Sequence, residues 1–170
     1  WDKLPIFKRV ELLTELAGFA LDHMDKDKAL ELISEAQIFM DSAQWRPEHR
    51  IPLVSALIKL RFLAGDGESA RREADAMLAL FDSQRDKIVN IYRAGALRPL
   101  AEAYQSMGDT AAALAVYKRA VDEGIENPNS RPRAEDLSAT CCSMALHGVE
   151  PDAELWTRIR QINDGLKDPW

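Results

Sequence analysis

The segment from Ala94 to Gly124, AGALRPLAEAYQSMGDTAAALAVYKRAVDEG, limits what this chain can fold into more than any other feature. Leu97, Leu100, Ala101 and Tyr104 recur at three- and four-residue spacing and mark one face of a helix. Gly108-Asp109 breaks that helix. Ala113, Tyr117 and Ala120 mark the face of a second helix, which is expected to stop at Gly124 as a C′ glycine. The small side chains Ala101, Ala113 and Ala120 allow two antiparallel helices to approach closely, with Tyr104 and Tyr117 filling the space beside them.

Three weaker copies of this hairpin follow the same template. Leu13, Leu16, Ala17 and Ala20 precede Met24-Asp25, and Ala29, Ile33 and Ala36 follow it. Val54, Leu57 and Ile58 precede Gly65-Asp66, with Ala70, Ala74 and Met77 after it. Leu137, Cys141 and Met144 precede Gly148, with Ala153 after it. The first alanines of the second helices stand 41, 43 and 40 residues apart. The predicted units are 5–42, 49–81, 86–123 and 133–165, forming one all-α domain of eight helices. Those helices are predicted over 5–23, 27–42, 49–64, 67–81, 86–107, 110–123, 133–147 and 151–165. Pro5, Pro52, Pro132 and Pro151 are expected in first turns, where a missing N–H costs nothing. Pro99 then falls inside a helix and is expected to kink it, the alternative being a break near Gly95.

Composition agrees with helix and excludes several function classes. With 46% apolar and 29% charged residues, the 170-residue chain is suited to a packed fold. No apolar run approaches the roughly 20 residues of a membrane helix. A net charge of −6 argues against nucleic acid, because phosphate neutralisation needs a basic face. Cys141 and Cys142 are neighbours, and a bond between them is strained, so both are expected as free thiols, which leans toward a reducing, cytoplasmic setting. The chain begins at Trp1 without a signal-like segment and is expected to be a processed chain or a piece of a longer one.

The offsets of Leu97, Leu100, Ala101, Tyr104, Gly108-Asp109, Ala113, Tyr117 and Ala120 resemble those of the tetratricopeptide repeat family. The family's closing proline is displaced to Pro128, and its usual period of 34 is exceeded. The resemblance implies a right-handed α-solenoid of antiparallel helix hairpins, and a non-enzymatic protein–protein interaction or scaffold module. It also implies a concave groove lined by the first helix of each hairpin, holding a protein or peptide segment of unidentified sequence. By alignment to the motif, the groove residues are Thr14, Glu15, Gly18 and Asp22, then Ser55, Lys59 and Phe62, then Arg98, Glu102 and Gln105, then Ser138 and Cys142. Some members grip the carboxylate of chaperone tails with Lys and Asn at set places. Here those places hold Thr14, Gly18, Ala56, Gly95 and Pro99, so that clamp is not expected.

The residues that often carry catalysis lack the necessary spacing. Cys142 and His147 lie about 140° apart around a helix, too far for a thiolate–imidazole pair within it. His23 and His147 end first helices and are expected to complement the C-terminal dipole. His49 has no ligand-type neighbour at metal spacing, and Asp25 with Asp27 lacks the Gly and distal Glu of a calcium loop. Gly65-Asp66-Gly67 is followed by no Lys-Ser/Thr pair and reads as a turn. No cofactor or metal is therefore expected. An enzyme on this scaffold is the weakest reading, lacking any motif. Self-association is the stronger alternative, through Trp1, Ile6 and Phe7 at one end and Trp156 and Trp170 at the other.

Overall fold

Four turns of one kind organise the chain. The computed structural model describes residues 3–166, so Trp1 and Trp170 lie outside the described residues. Among those residues there are eight α-helices and no strand: α1 (Ile6–Asp22), α2 (Lys26–Asp41), α3 (Pro47–Ala64), α4 (Gly67–Gln84), α5 (Asn90–Ser106), α6 (Thr110–Gly124), α7 (Ser130–Leu146) and α8 (Ala153–Gly165). Each odd-numbered helix is followed, one or two positions past its last residue, by a residue with positive φ: Met24 (62°), Gly65 (106°), Gly108 (78°) and Gly148 (65°). The next amide reaches back five residues. Asp25 N–H donates to the Ala20 carbonyl, Asp66 to Arg61, Asp109 to Tyr104 and Val149 to Met144, at 2.9–3.1 Å. These are the 6→1 bonds of a Schellman close, and they satisfy carbonyls the helix end would otherwise leave bare.

Each even-numbered helix then starts on an aspartate. The Asp25, Asp66, Asp109 and Asp152 carboxylates accept from the backbone N–H of Lys28, Ser69, Ala112 and Leu155. An aspartate cap of this kind satisfies one free N–H and is worth about 1 kcal/mol. In the first three turns the left-handed residue and the cap are adjacent. In the fourth, Val149, Glu150 and Pro151 intervene. That insertion changes the register of α8. Ala29, Ala70 and Ala113 are fully buried at the fourth position after the cap, whereas that place in α8 holds Trp156, 48% exposed. Ala153, expected to match those alanines, is exposed.

The hairpins pack in sequence order. Within hairpins α1 meets α2, α3 meets α4 and α5 meets α6. Between hairpins α1 meets α3, α3 meets α5 and α5 meets α7, while α2, α4 and α6 each touch the first helix of the next hairpin. This is the contact pattern of a helical repeat. The core runs through these interfaces. Leu97, Leu100 and Ala101 of α5 and Ala113, Tyr117 and Ala120 of α6 are fully buried, with Tyr104 at 1%. The closely approaching alanines are what bring the two tyrosine rings into the interior.

Several boundaries differ from the sequence expectation. α3 starts at Pro47, in its first turn, which leaves Pro52 inside the helix. Asp152 caps α8, so Pro151 precedes the helix. α5 starts at Asn90 because Arg85–Lys87 form a short 3-10 turn and Ile88-Val89 run extended. That route carries Ile88 into the core at 1% exposure. α5 continues through Pro99 without the alternative break near Gly95. Gly124 is the last residue of α6 and carries no left-handed backbone. Its role is close approach: a Cβ there would lie 3.1 Å from the Asp136 Cβ and 3.7 Å from that of Ala94. Leu16, expected in the core, is 49% exposed on α1.

Polar clamps fix the connectors. The Arg85 guanidinium donates twice to Glu123, at 2.6 and 2.9 Å, and Arg93 lies 3.6 Å from the same carboxylate. Arg93 Nε also donates to the Ile88 carbonyl at 2.9 Å, tying the extended linker to α5. On the even-numbered helices, Arg71 reaches Asp109 and Arg119 reaches Asp82. Lys118 bonds Asp152 at 2.8 Å and Arg158 bonds Asp122 at 3.0 Å, holding α8 against α6.

Candidate functional site

The odd-numbered helices lie side by side, so residues one turn apart on successive helices meet across them. At the centre is Glu102 of α5. Its Oε1 accepts from the Ser143 hydroxyl of α7 at 2.8 Å, and Ser143 shares a 2.7 Å bond with the Tyr117 hydroxyl of α6. Glu102 Oε2 lies 3.4 Å from Lys59 Nζ of α3 and 3.7 Å from His147 Nε2. Lys59, Glu102 and His147 are 33%, 21% and 29% exposed at the side chain, so this row is half open to solvent. One turn toward the helix starts, Arg98 donates to Asp136 at 3.1 Å and approaches the Thr140 hydroxyl at 3.5 Å. The result is a ladder of paired polar and charged side chains across three helices.

Burial sets the chemistry of the groups beneath. Tyr117 is fully buried, and desolvation, with a smaller contribution from the Glu102 charge, pushes its phenol up to about 12. Tyr104 donates to Asp75 at 2.8 Å, and burial followed by that bond raises its phenol further. Burial, and then the neighbouring Cys142, raises the Cys141 thiol above its ordinary value. Cys142 is exposed. Both histidines whose places end first helices direct Nδ1 to a carbonyl one turn back, His23 to Phe19 and His147 to Ser143, each at 2.9 Å.

The expected groove residues divide into three groups. Lys59, Arg98 and Glu102 enter the ladder. Glu15, Asp22, Ser138 and Cys142 are exposed. The others are wholly or partly covered by the fold. Ser55 is fully buried and donates to the Ile51 carbonyl at 2.7 Å, so it offers nothing to a partner. Thr14 is half-buried and donates to Val10 at 2.7 Å. A Cβ at Gly18 would sit 3.8 Å from Leu60, placing it at the α1–α3 contact. Phe62 is half-buried beside Gly67, and Gln105 Oε1 is buried without a hydrogen-bond partner.

Asp136, Thr140, Ser143 and His147 were not anticipated as groove residues. They follow one another at four, three and four residues and form the stripe of α7 that faces α5. That spacing is visible in the sequence, but Leu137, Cys141 and Met144 set a weak apolar register that did not fix which polar stripe points inward. Among the described residues, no group of three or more His, Cys, Asp or Glu side chains could hold a metal, and no helix is long and apolar enough to cross a membrane. Comparison with known protein families, curated proteins and solved structures finds no match to this chain.

Proposed function

We propose that this chain is a tetratricopeptide-like right-handed solenoid that acts as a non-enzymatic interaction module and holds a partner segment along the face of α1, α3, α5 and α7. The observation that carries this reading is the repeated turn. A left-handed residue followed by an aspartate-capped helix recurs four times, with each first helix packed on the next. An array built this way presents one side chain stripe per hairpin to the same side. The half-open Lys59–Glu102–His147 row and the exposed Glu15, Asp22 and Ser138 offer charge of both signs and hydrogen bonds to an extended or helical segment. A photo-crosslinking residue placed at Glu15 or Ser138, with Ala79 on α4 as control, tests it in the cell that makes the protein. Discrete partner adducts from the first two sites and none from Ala79 support the reading. Equal labelling from all three sinks it.

A second reading, association of the chain with itself, is favoured by α1. Leu12, Leu16 and Phe19 are 38%, 49% and 62% exposed along one stripe. Concentration-dependent light scattering that is abolished by Phe19→Lys supports it, and a monomer at millimolar concentration rules it out.

A further inference from the structure

We infer that the apolar stripe of α1 is the docking surface for a second copy of this chain, which covers it head to tail with the exposed face of its own α7. The repeat gives the reason. Counted back from the left-handed residue of each turn, Leu12, Leu16, Phe19 and His23 hold the places of Asp136, Thr140, Ser143 and His147 in α7. That is the stripe by which α7 meets the preceding hairpin, at Arg98, Glu102 and Tyr117. In α5 the first three places hold Ala96, Leu100 and Ala103, which are all buried. In α1 they hold Leu12, Leu16 and Phe19, which are all exposed. The α1 stripe thus has the register of an interior contact, and among the described residues no hairpin precedes it.

The open end of the array supplies the matching surface. Ser138 and Cys142 of α7 hold the places of Arg98 and Glu102 in α5, and both are exposed, as is Ala145 farther along the same stripe. Two interior contacts fix which residue meets which. Glu102 accepts from Ser143 at 2.8 Å, and a Cβ on Gly18 would lie 3.8 Å from Leu60. Both join the sixth residue before one left-handed position to the fifth residue before the next. Carried across the ends, that rule sets Cys142 of one copy against Phe19 of the next. Size agrees, because each interior pair also sets one small side chain against a larger one. Two α1 stripes packed on each other would instead oppose leucine and phenylalanine with the same, and close packing favours interlocking of large with small. Ala145 also borders a cleft of about 330 Å³ between α7 and α8, whose walls include Met144, Val149 and the half-exposed Trp156, so the apolar surface at this end extends past the stripe. The two faces differ, so the contact is heterologous and continues the hairpin-on-hairpin packing of the fold from one copy into the next. It rests on self-association, the second reading above, and names the face that meets α1.

Sedimentation velocity over a concentration series tests this with three single variants. Phe19→Lys blocks the α1 face, while Cys142→Arg and Ala145→Arg each block the α7 face. All three positions are exposed, and circular dichroism checks that each variant keeps its helices. The unaltered chain is expected to associate, and each variant alone to stay monomeric at the same concentration. Mixed in equal amounts, Phe19→Lys and Cys142→Arg are expected to form a heterodimer, since one keeps an intact α7 face and the other an intact α1 face. Ala145→Arg takes the place of Cys142→Arg in the mixture if the latter loses helix. Folded α7 variants that associate as the unaltered chain does overturn the inference and leave self-association through α1 alone. A mixture that stays monomeric overturns it as well. An unaltered chain that is monomeric at millimolar concentration overturns the inference and self-association together.

Discussion

Met24 and Gly108 hold the same place in the same turn, both in the left-handed region, at φ 62° and 78°. Only one of them has a Cβ to crowd the following carbonyl. An L-residue in this conformation is disfavoured by about 1 kcal/mol relative to glycine. The Met24 side chain recovers little by packing, being 82% exposed.

Met24→Gly is therefore expected to stabilise the fold by about 0.5–1 kcal/mol, raising the melting temperature by about 2 °C. The reverse change at the third turn, Gly108→Met, is expected to destabilise by a similar amount. Differential scanning calorimetry of both variants is the measurement. A loss of stability in Met24→Gly would contradict the assignment of strain to that residue.

The Arg85–Glu123 clamp closes the path between α4 and α5. Glu123 is 7% exposed and faces both Arg85 and Arg93, so removing it leaves two guanidinium groups short of their partner. Glu123→Ala is expected to cost about 2 kcal/mol in urea unfolding, less than a fully buried pair because Arg85 is 34% exposed. A change below about 0.5 kcal/mol, the level of an ordinary surface substitution, would show that Ile88 alone holds the linker.

Tyr117 makes the fold sensitive to alkali. Its phenol is held up from an ordinary value near 10 to about 12, chiefly by burial. A raised acid keeps its proton longer in the folded state than in the unfolded chain. Its contribution is thus complete below pH 10 and is lost as pH rises from about 10 to about 12. Tyr104, raised for the same leading reason, acts in the same direction. Denaturant midpoints measured at steps through this window should fall, and fall less steeply in Tyr117→Phe. At neutral pH that variant is expected to lose about 1 kcal/mol, since Ser143 keeps its bond to Glu102. An unchanged slope would place the alkaline sensitivity elsewhere.

The adjacent cysteines should react unequally. Cys142 is exposed, whereas Cys141 is half-buried with its thiol raised by that burial. Thiolate is the reacting species, so iodoacetamide at pH 8 is expected to modify Cys142 several-fold faster than Cys141. Peptide mapping over time reads this directly. Equal rates would mean that α7 opens around Cys141 on the timescale of alkylation.

The local geometry was readable from the chain itself. Gly65-Asp66 and Gly108-Asp109 mark the break between two helices, and Met24-Asp25 marks it through its spacing from them. Every bond in that turn joins residues within five positions, so neighbours in sequence are enough to specify it. The apolar stripes of α5 and α6 were legible for the same reason. Ile88 was not. Its periodicity with Val89 and Ile91 reads as helix, and the extended path prevails because Arg85 and Arg93 are drawn to Glu123 at the end of α6 and Glu126 just after it.

The candidate site was legible only in part. Lys59, Arg98 and Glu102 fell on the expected stripe. Ser55 fell there too, yet a small hydroxyl that bonds its own helix can be buried without penalty, and the packing of α3 buried it. The sequence by itself determined the hairpins, their caps and the faces that must be covered, because those follow from bonds and side chain spacing along one helix. Tertiary structure alone decided that Glu102 meets Ser143 and Lys59, that Gly124 lies against Asp136, and that Glu48 lines a cleft with Phe7 and Trp45. Those contacts join residues about 40 positions apart or on different helices, and the relative register of packed helices is set by how their side chains interlock, which no single helix specifies.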